Sequence, residues 1–290
     1  MTGQPSILIT GANGQLGKEL RELSAAFRSF TFIFLSKAEL PVHDPQAVKE
    51  ALARYQPQYC INCAAYTAVD KAESDQQQAY LVNAEAPGIL AAACREQDTR
   101  FIHISTDYVF AGTATSPYKE DEATEPQSVY GASKLEGEKR IVTLNPDAII
   151  IRTSWLYAAS GKNFVNTMLR LMKERAEIGV VNDQTGSPTY TADLAEAILQ
   201  IIQSGKWVPG TYHFSNTGAI TWYEFAVAIR DMTGSACKVN AITTADYPTP
   251  AKRPVYSVLD TTKIETVFDI HPAYWKDSLH ECLAKQKTTH

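Results

Sequence analysis

Tyr130 and Lys134 stand four residues apart in Tyr130-Gly131-Ala132-Ser133-Lys134. On a helix that spacing puts a phenol and an ammonium on one face. A free phenol has a pKa near ~10 and exchanges protons poorly at neutral pH. A cation beside it stabilises the phenolate and lowers that value. Such a pair can give a proton to a carbonyl oxygen as hydride reaches the carbon. A tyrosine and lysine at this spacing are common, so their weight comes from what precedes them. The run Phe101 to Thr106 reads as a strand and continues into Asp107-Tyr108-Val109-Phe110. Hydroxyls at the carboxyl end of a parallel strand open into a ligand crevice. Thr106 is placed to hydrogen-bond a carbonyl and turn it towards Tyr130, with strand capping as its other use. For Asp107, forming a turn and touching a substrate stand equal.

A second constellation lies near the start, in Gly11-Ala12-Asn13-Gly14-Gln15-Leu16-Gly17. Gly11 suits a tight turn, Gly14 lets backbone approach a pyrophosphate, and Gly17 lets a helix pack close to a sheet. The N–H groups of Asn13, Gln15 and Leu16 then face the phosphates of a dinucleotide. The spacing G-x-x-G-x-x-G is wider than the usual fingerprint, and a plain glycine-rich turn is the alternative. The next strand ends in Leu35-Ser36-Lys37-Ala38-Glu39. Ser36 and Lys37 suit a 2′-phosphate, which leans towards NADPH over NADH, while Glu39 lies far along for a ribose contact; use of both cofactors stays open. Small residues at Ala64-Ala65-Tyr66 admit a cofactor past a third strand end, or serve tight packing. Asp70 to Glu73 reads as a solvated helix start.

These residues need a frame. Short apolar runs at 6–10, 30–36, 59–65, 101–106 and 148–154 alternate with amphipathic stretches at about 15–27, 45–55, 78–97 and from 130 onward. Pro87-Gly88 marks a kink in the third of these. Strand–helix alternation implies right-handed crossovers and a parallel sheet covered on both faces. The expected fold class is α/β, a Rossmann-like doubly wound parallel sheet. Residues 1–157 form the dinucleotide-binding domain and 158–290 a smaller, interleaved substrate domain, part of 180–220 returning to the sheet. In that second half, strands are expected at 179–183 and 211–215, and helices at 163–175, 192–203, 222–232 and near the end.

Composition removes other classes. Lys plus Arg total 27 against 32 Asp plus Glu, a net charge of −5, which gives no basic surface for nucleic acid. No apolar run reaches the length of a membrane span, and residues 1–5 lack the basic start of a signal peptide; a cytoplasmic location is expected. Five cysteines give no disulfide framework. Cys60 and Cys63 have redox spacing, but three residues apart on a strand they face opposite ways. The six histidines form no i, i+4 metal pair.

The glycine loop, Ser105-Thr106 and Tyr130 to Lys134 together resemble the extended short-chain dehydrogenase/reductases. Within them the chain is similar to the dTDP-4-dehydrorhamnose reductases. The similarity also runs through residues 64–73, 105–110, 152–157, 182–189 and 250–254, nearly the whole chain in order. It implies hydride transfer from NAD(P)H to C4 of dTDP-4-dehydro-β-L-rhamnose, the last step of dTDP-L-rhamnose synthesis. Tyr130 would then be the proton donor, Lys134 would hold the nicotinamide ribose and tune Tyr130, and Thr106 would assist at the carbonyl. Trp155 would contact the sugar, and Arg253 would pair with a nucleotide phosphate or form a structural salt bridge. Family members commonly carry Asp where Pro41 stands, so an adenine contact falls to the Val42 backbone or its neighbours. Some relatives use Mg²⁺ at a dimer contact built of glutamates. Glu19 matches one position without a full set, so Mg²⁺ is unsupported and a homodimer stays open. Another nucleotide-sugar reductase, an epimerase of the same fold and a non-catalytic regulatory subunit remain the alternatives.

Overall fold

The computed structural model describes residues 4–288. Strands and helices alternate through the first half: β1 Ser6–Thr10, α1 Gln15–Leu23, β2 Thr31–Leu35, α2 Pro45–Tyr55, β3 Tyr59–Asn62, α3 Val69–Ala72, α4 Gln76–Tyr80, α5 Ala86–Glu96, β4 Arg100–Thr106, α6 Val129–Leu144 and β5 Ile149–Thr153. The second half adds β6 Leu156–Tyr157, α7 Phe164–Glu174, β7 Glu177–Val181, β8 Thr185–Gly186, β9 Thr189–Tyr190, α8 Thr191–Gln203, β10 Gly210–His213, β11 Ile220–Thr221, α9 Trp222–Thr233, β12 Lys238–Ile242, α10 Thr262–Phe268 and α11 Trp275–Thr288.

Six strands form one parallel sheet in the order β10-β5-β4-β3-β1-β2. Strand order reverses between β1 and β3, which opens a crevice at their carboxyl ends. The strands read as continuous apolar runs because both faces are covered: Ile7, Leu8, Ile9, Ile149, Ile150 and Ile151 are all buried. On one face Leu16 and Leu20 of α1 meet Leu194, Ile198 and Ile202 of α8. On the other, Val48 and Leu52 of α2 join Leu90 of α5 and Ile141 of α6. Each such side chain contributes about 1.5–3 kcal/mol by leaving water. A separate core between α7, α9, α11 and the β7–β12 pair centres on Phe225, Ile229 and Leu279. Local signals set several ends. Asp44 caps α2 by accepting from Gln46 N and Ala47 N, with Pro45 opening the helix.

Four expectations need correcting. The third strand stops at Asn62, because its Oδ1 accepts from Ala64 N at 3.1 Å and turns the chain out of the sheet. Cys63 therefore lies beyond the strand. The helix expected over 78–97 is three segments, α4, a π-helical turn at Leu81–Glu85, and α5. Pro87 has no N–H for the carbonyl of Asn83, and the wider turn accommodates that loss. α6 rides directly on that turn: a Cβ on Gly137 would lie 2.1 Å from the Asn83 carbonyl oxygen. The strand near 180 begins at Glu177 and pairs with β12, an element the apolar pattern did not reveal. Asp70 to Glu73 is not merely solvated. Asp70 bonds Arg253, and Glu73 accepts from Val129 N at 2.9 Å at the start of α6.

Candidate active site

The loop after β1 has the form its glycines suggest. Gly11 takes φ +64, and a Cβ there would sit 2.6 Å from Ala64 N. Gly17 touches the backbone of Gly11 and Ala12, so it serves packing and faces neither cavity described below. Gly14 is the N-cap of α1 and offers no side-chain acceptor, which leaves the first helical N–H groups aimed outward. That uncapped terminus, with Gly14 bare beside it, fits a dinucleotide pyrophosphate.

Two cavities meet around this loop and share Asn13, Gly14, Cys63, Ala64 and Ala65. One, of about 660 Å³, is bordered by Gly11, Ser36, Lys37, Val42 and Tyr66. Glu39 does not reach it. Its carboxylate folds back to accept from Ser36 N at 2.8 Å, a bond that holds its pKa below the ordinary value. The ribose end of this cavity therefore shows a serine and a lysine.

The other cavity, of about 600 Å³, gathers Gln15, Leu16, Thr106, Asp107, Tyr130, Lys134 and Trp155. Ser128 caps α6 by accepting from Gly131 N at 3.2 Å, which puts Tyr130 in the first turn and Lys134 one turn deeper. Thr106 ends β4; its hydroxyl donates to Asp107 Oδ1 at 3.0 Å and accepts from Tyr108 N at 3.2 Å, and it faces the same cavity as Tyr130. Burial pushes the Asp107 carboxyl up to about 6, and its Oδ2 has no partner.

Burial also pushes the Tyr130 phenol up from its ordinary value. The simple expectation of a lysine lowering the phenol does not describe these side chains. Lys134 Nζ donates to Ile104 O at 2.6 Å and lies 3.2 Å from His103 Nε2. Its own pKa is lowered to about 8 by burial, with Glu138 opposing. Glu138 in turn holds buried Arg152 at 2.7 Å and accepts from Ser105 Oγ.

Trp155 follows β5 with φ +46. Its ring lies on Trp222 of α9 at a centroid distance of 3.4 Å and 8° between planes. Sequence reasoning missed Trp222, which sits beyond any local motif. It also missed Asn83, whose buried side chain accepts from Tyr66 N at 2.8 Å and donates to Tyr66 O at 3.0 Å and Ser133 Oγ at 3.1 Å. This clamp ties the Ala65-Tyr66 edge to the helix of Tyr130. The only sequence signal for it was a polar residue inside an apolar helix. Arg253 lines neither cavity. It donates to Asp70 Oδ2 at 2.6 Å and Tyr108 Oη at 3.0 Å, the salt-bridge alternative. Glu19 is buried and paired with Lys285 at 2.7 Å. Among the described residues no group of three or more His, Cys, Asp or Glu is arranged to hold a metal, and no helix is long and apolar enough to cross a membrane.

A family profile described as RmlD substrate binding domain matches residues 5–288. The chain belongs to the RmlD substrate binding domain family. Within the RmlD family it is 44% identical to a dTDP-4-dehydrorhamnose reductase of Aggregatibacter actinomycetemcomitans, over 94% of this chain and 96% of that one. It is also 44% identical to a probable dTDP-4,6-dihydroxy-2-methyloxan-3-one 4-ketoreductase of Streptomyces antibioticus, over 87% and 85%. Its fold matches the dTDP-4-dehydrorhamnose reductase of Bacillus anthracis in complex with NADP at TM-score 0.94 and 38% identity, covering 97% and 99%.

Proposed function

We propose that this chain reduces the C4 keto group of dTDP-4-dehydro-β-L-rhamnose to dTDP-L-rhamnose, using NADPH or NADH. One observation carries the reading: Thr106, Tyr130 and Lys134 converge on a cavity whose other wall is the glycine loop. A reduced nicotinamide supplies the hydride when bound. The residues of the chain then do the rest. Thr106 and Tyr130 grip the keto oxygen, and the phenol gives it a proton as charge develops. Trp155 and Trp222 offer an apolar face to the sugar ring. Asn13, Gly14, Gln15 and Leu16 hold the pyrophosphate, with Ala64 and Ala65 leaving room beside it. The cofactor lies on residues 1–157 and the sugar against 158–290. A 4-ketoreductase acting on a different dTDP-sugar is the second reading, favoured by the equal identity to the Streptomyces antibioticus protein.

The test is NADPH oxidation against a panel of 4-keto nucleotide sugars. The highest kcat/KM is expected with dTDP-4-dehydrorhamnose. A higher value with another keto sugar selects the second reading, and no net oxidation with any of them sinks both. An epimerase would return its cofactor and consume none.

Cofactor choice has its own test. With Glu39 turned away, Lys37 stands beside Ser36 at the edge of the cavity of about 660 Å³, placed to meet a 2′-phosphate. Lys37→Ala is expected to raise the NADPH KM by roughly 10–100-fold, the worth of one charge-assisted hydrogen bond, and to leave NADH unchanged. An unaltered NADPH:NADH ratio means that Lys37 does not meet the phosphate.

A further inference from the structure

Behind Lys134 runs a buried polar chain: Thr10, Asn62, His103, Lys134. Asn62 Oδ1 takes a hydrogen bond from Ala64 N at 3.1 Å and another from Thr10 Oγ1 at 2.6 Å. A backbone N–H can only donate, so the Asn62 atom facing it is the oxygen. The amide nitrogen of Asn62 therefore points at His103 Nδ1, 3.0 Å away, and donates to it. His103 is fully buried, and burial with the Lys134 charge holds its pKa well below the ordinary value. A neutral imidazole has one proton. With Nδ1 accepting, that proton sits on Nε2, which faces Lys134 Nζ at 3.2 Å. An ammonium has no lone pair to receive it, whereas a free amine does.

We propose that His103 is a positioning residue that sets the protonation of Lys134, favouring the amine, so that this lysine exchanges protons within the working pH range. The inference rests on the place of Lys134 in the reductase site proposed above. Lys134 is lowered to about 8, first by its burial, in keeping with an unwelcoming neighbour. The other charged or titratable groups around it do not supply this effect. Glu138 on α6 acts the other way, and Arg152 on β5 is ion-paired with that carboxylate. Burial keeps Tyr130 on α6 and Cys63 after β3 in their neutral forms. Asp107 after β4 can only favour the ammonium. The positive charge on Lys134 is thus conditional on pH.

His103→Asn keeps an acceptor near the Nδ1 position for Asn62 and removes the Nε2–H. The alkaline limb of the kcat/KM profile for keto-sugar reduction is expected to move up by about one pH unit, the scale of one lost hydrogen-bond preference. Tyr130 titrates too high to mask it. An unmoved limb overturns the proposal. A second measurement needs neither the variant to fold nor the enzyme to turn over. Nitrogen–proton correlation spectra of the unaltered protein, labelled at histidine, should show His103 with Nδ1 bare and Nε2 protonated. A proton on Nδ1 overturns the proposal while leaving the reductase assignment untouched.

Discussion

Tyr130→Phe is expected to bind NADPH as the unaltered chain does and to lose turnover by about 10²–10⁴-fold, the usual worth of a positioned proton donor. The change removes one oxygen from a half-buried ring and nothing from the glycine loop or the Ser36-Lys37 edge. Burial pushes the phenol up, so it enters the reaction protonated and is a donor from the outset, the form that ketone reduction requires. Without it, the alkoxide formed by hydride arrival must find a proton elsewhere or stay charged. Cofactor titration by fluorescence with single-turnover kinetics separates the two steps. Turnover within a factor of a few of the unaltered enzyme would remove Tyr130 from the chemistry.

Glu138→Ala should produce the largest loss of stability, about 3–5 kcal/mol, with a fall in Tm on the order of 10 °C. Glu138 and Arg152 are 5% and 6% exposed and meet at 2.7 Å through Nη2 and 3.0 Å through Nε. Removing the carboxylate strands a guanidinium that cannot lose its proton. It also withdraws the acceptor of Ser105 and a carboxylate that favours the Lys134 ammonium. Glu136→Ala is the control on the same helix. Its pair with Arg140 is exposed at 38% and 44%, and such pairs are worth about 0–1 kcal/mol. Thermal unfolding of the two variants side by side checks the contrast; equal shifts would refute it.

What could be read from the sequence depended on how far apart the cooperating residues stand. Gly11 to Gly17 and Tyr130 to Lys134 each fit within two helical turns, so spacing alone fixed their geometry. Sheet strands such as Ile149 to Ile151 announced themselves by continuous apolar character. The Asn62–His103–Lys134 chain, the Trp155–Trp222 stack and the Asn83 clamp join residues 17 or more positions apart, and no local pattern encodes such pairings. The cation–phenol argument failed for a related reason. It considered two side chains on one helix, whereas β4 supplies a carbonyl and an imidazole that hold the lysine. Arg253 was ambiguous because a guanidinium serves a phosphate or a carboxylate equally well, and only the fold brings Asp70 to it.

The outer position of β10 has a consequence for how the molecule comes into being. The sheet that carries the cofactor site is completed by Gly210–His213, laid against β5. A ribosome that has released residues 1–157 has made Thr106, Tyr130 and Lys134 yet left Ile149, Ile150 and Ile151 on an open edge. Such an edge invites pairing with foreign strands. The nascent chain must travel through α7, β7 and α8 before that edge is closed. The site is written early in the gene, but the scaffold that protects it is finished late, so a truncated transcript yields a sticky fragment rather than a minimal enzyme.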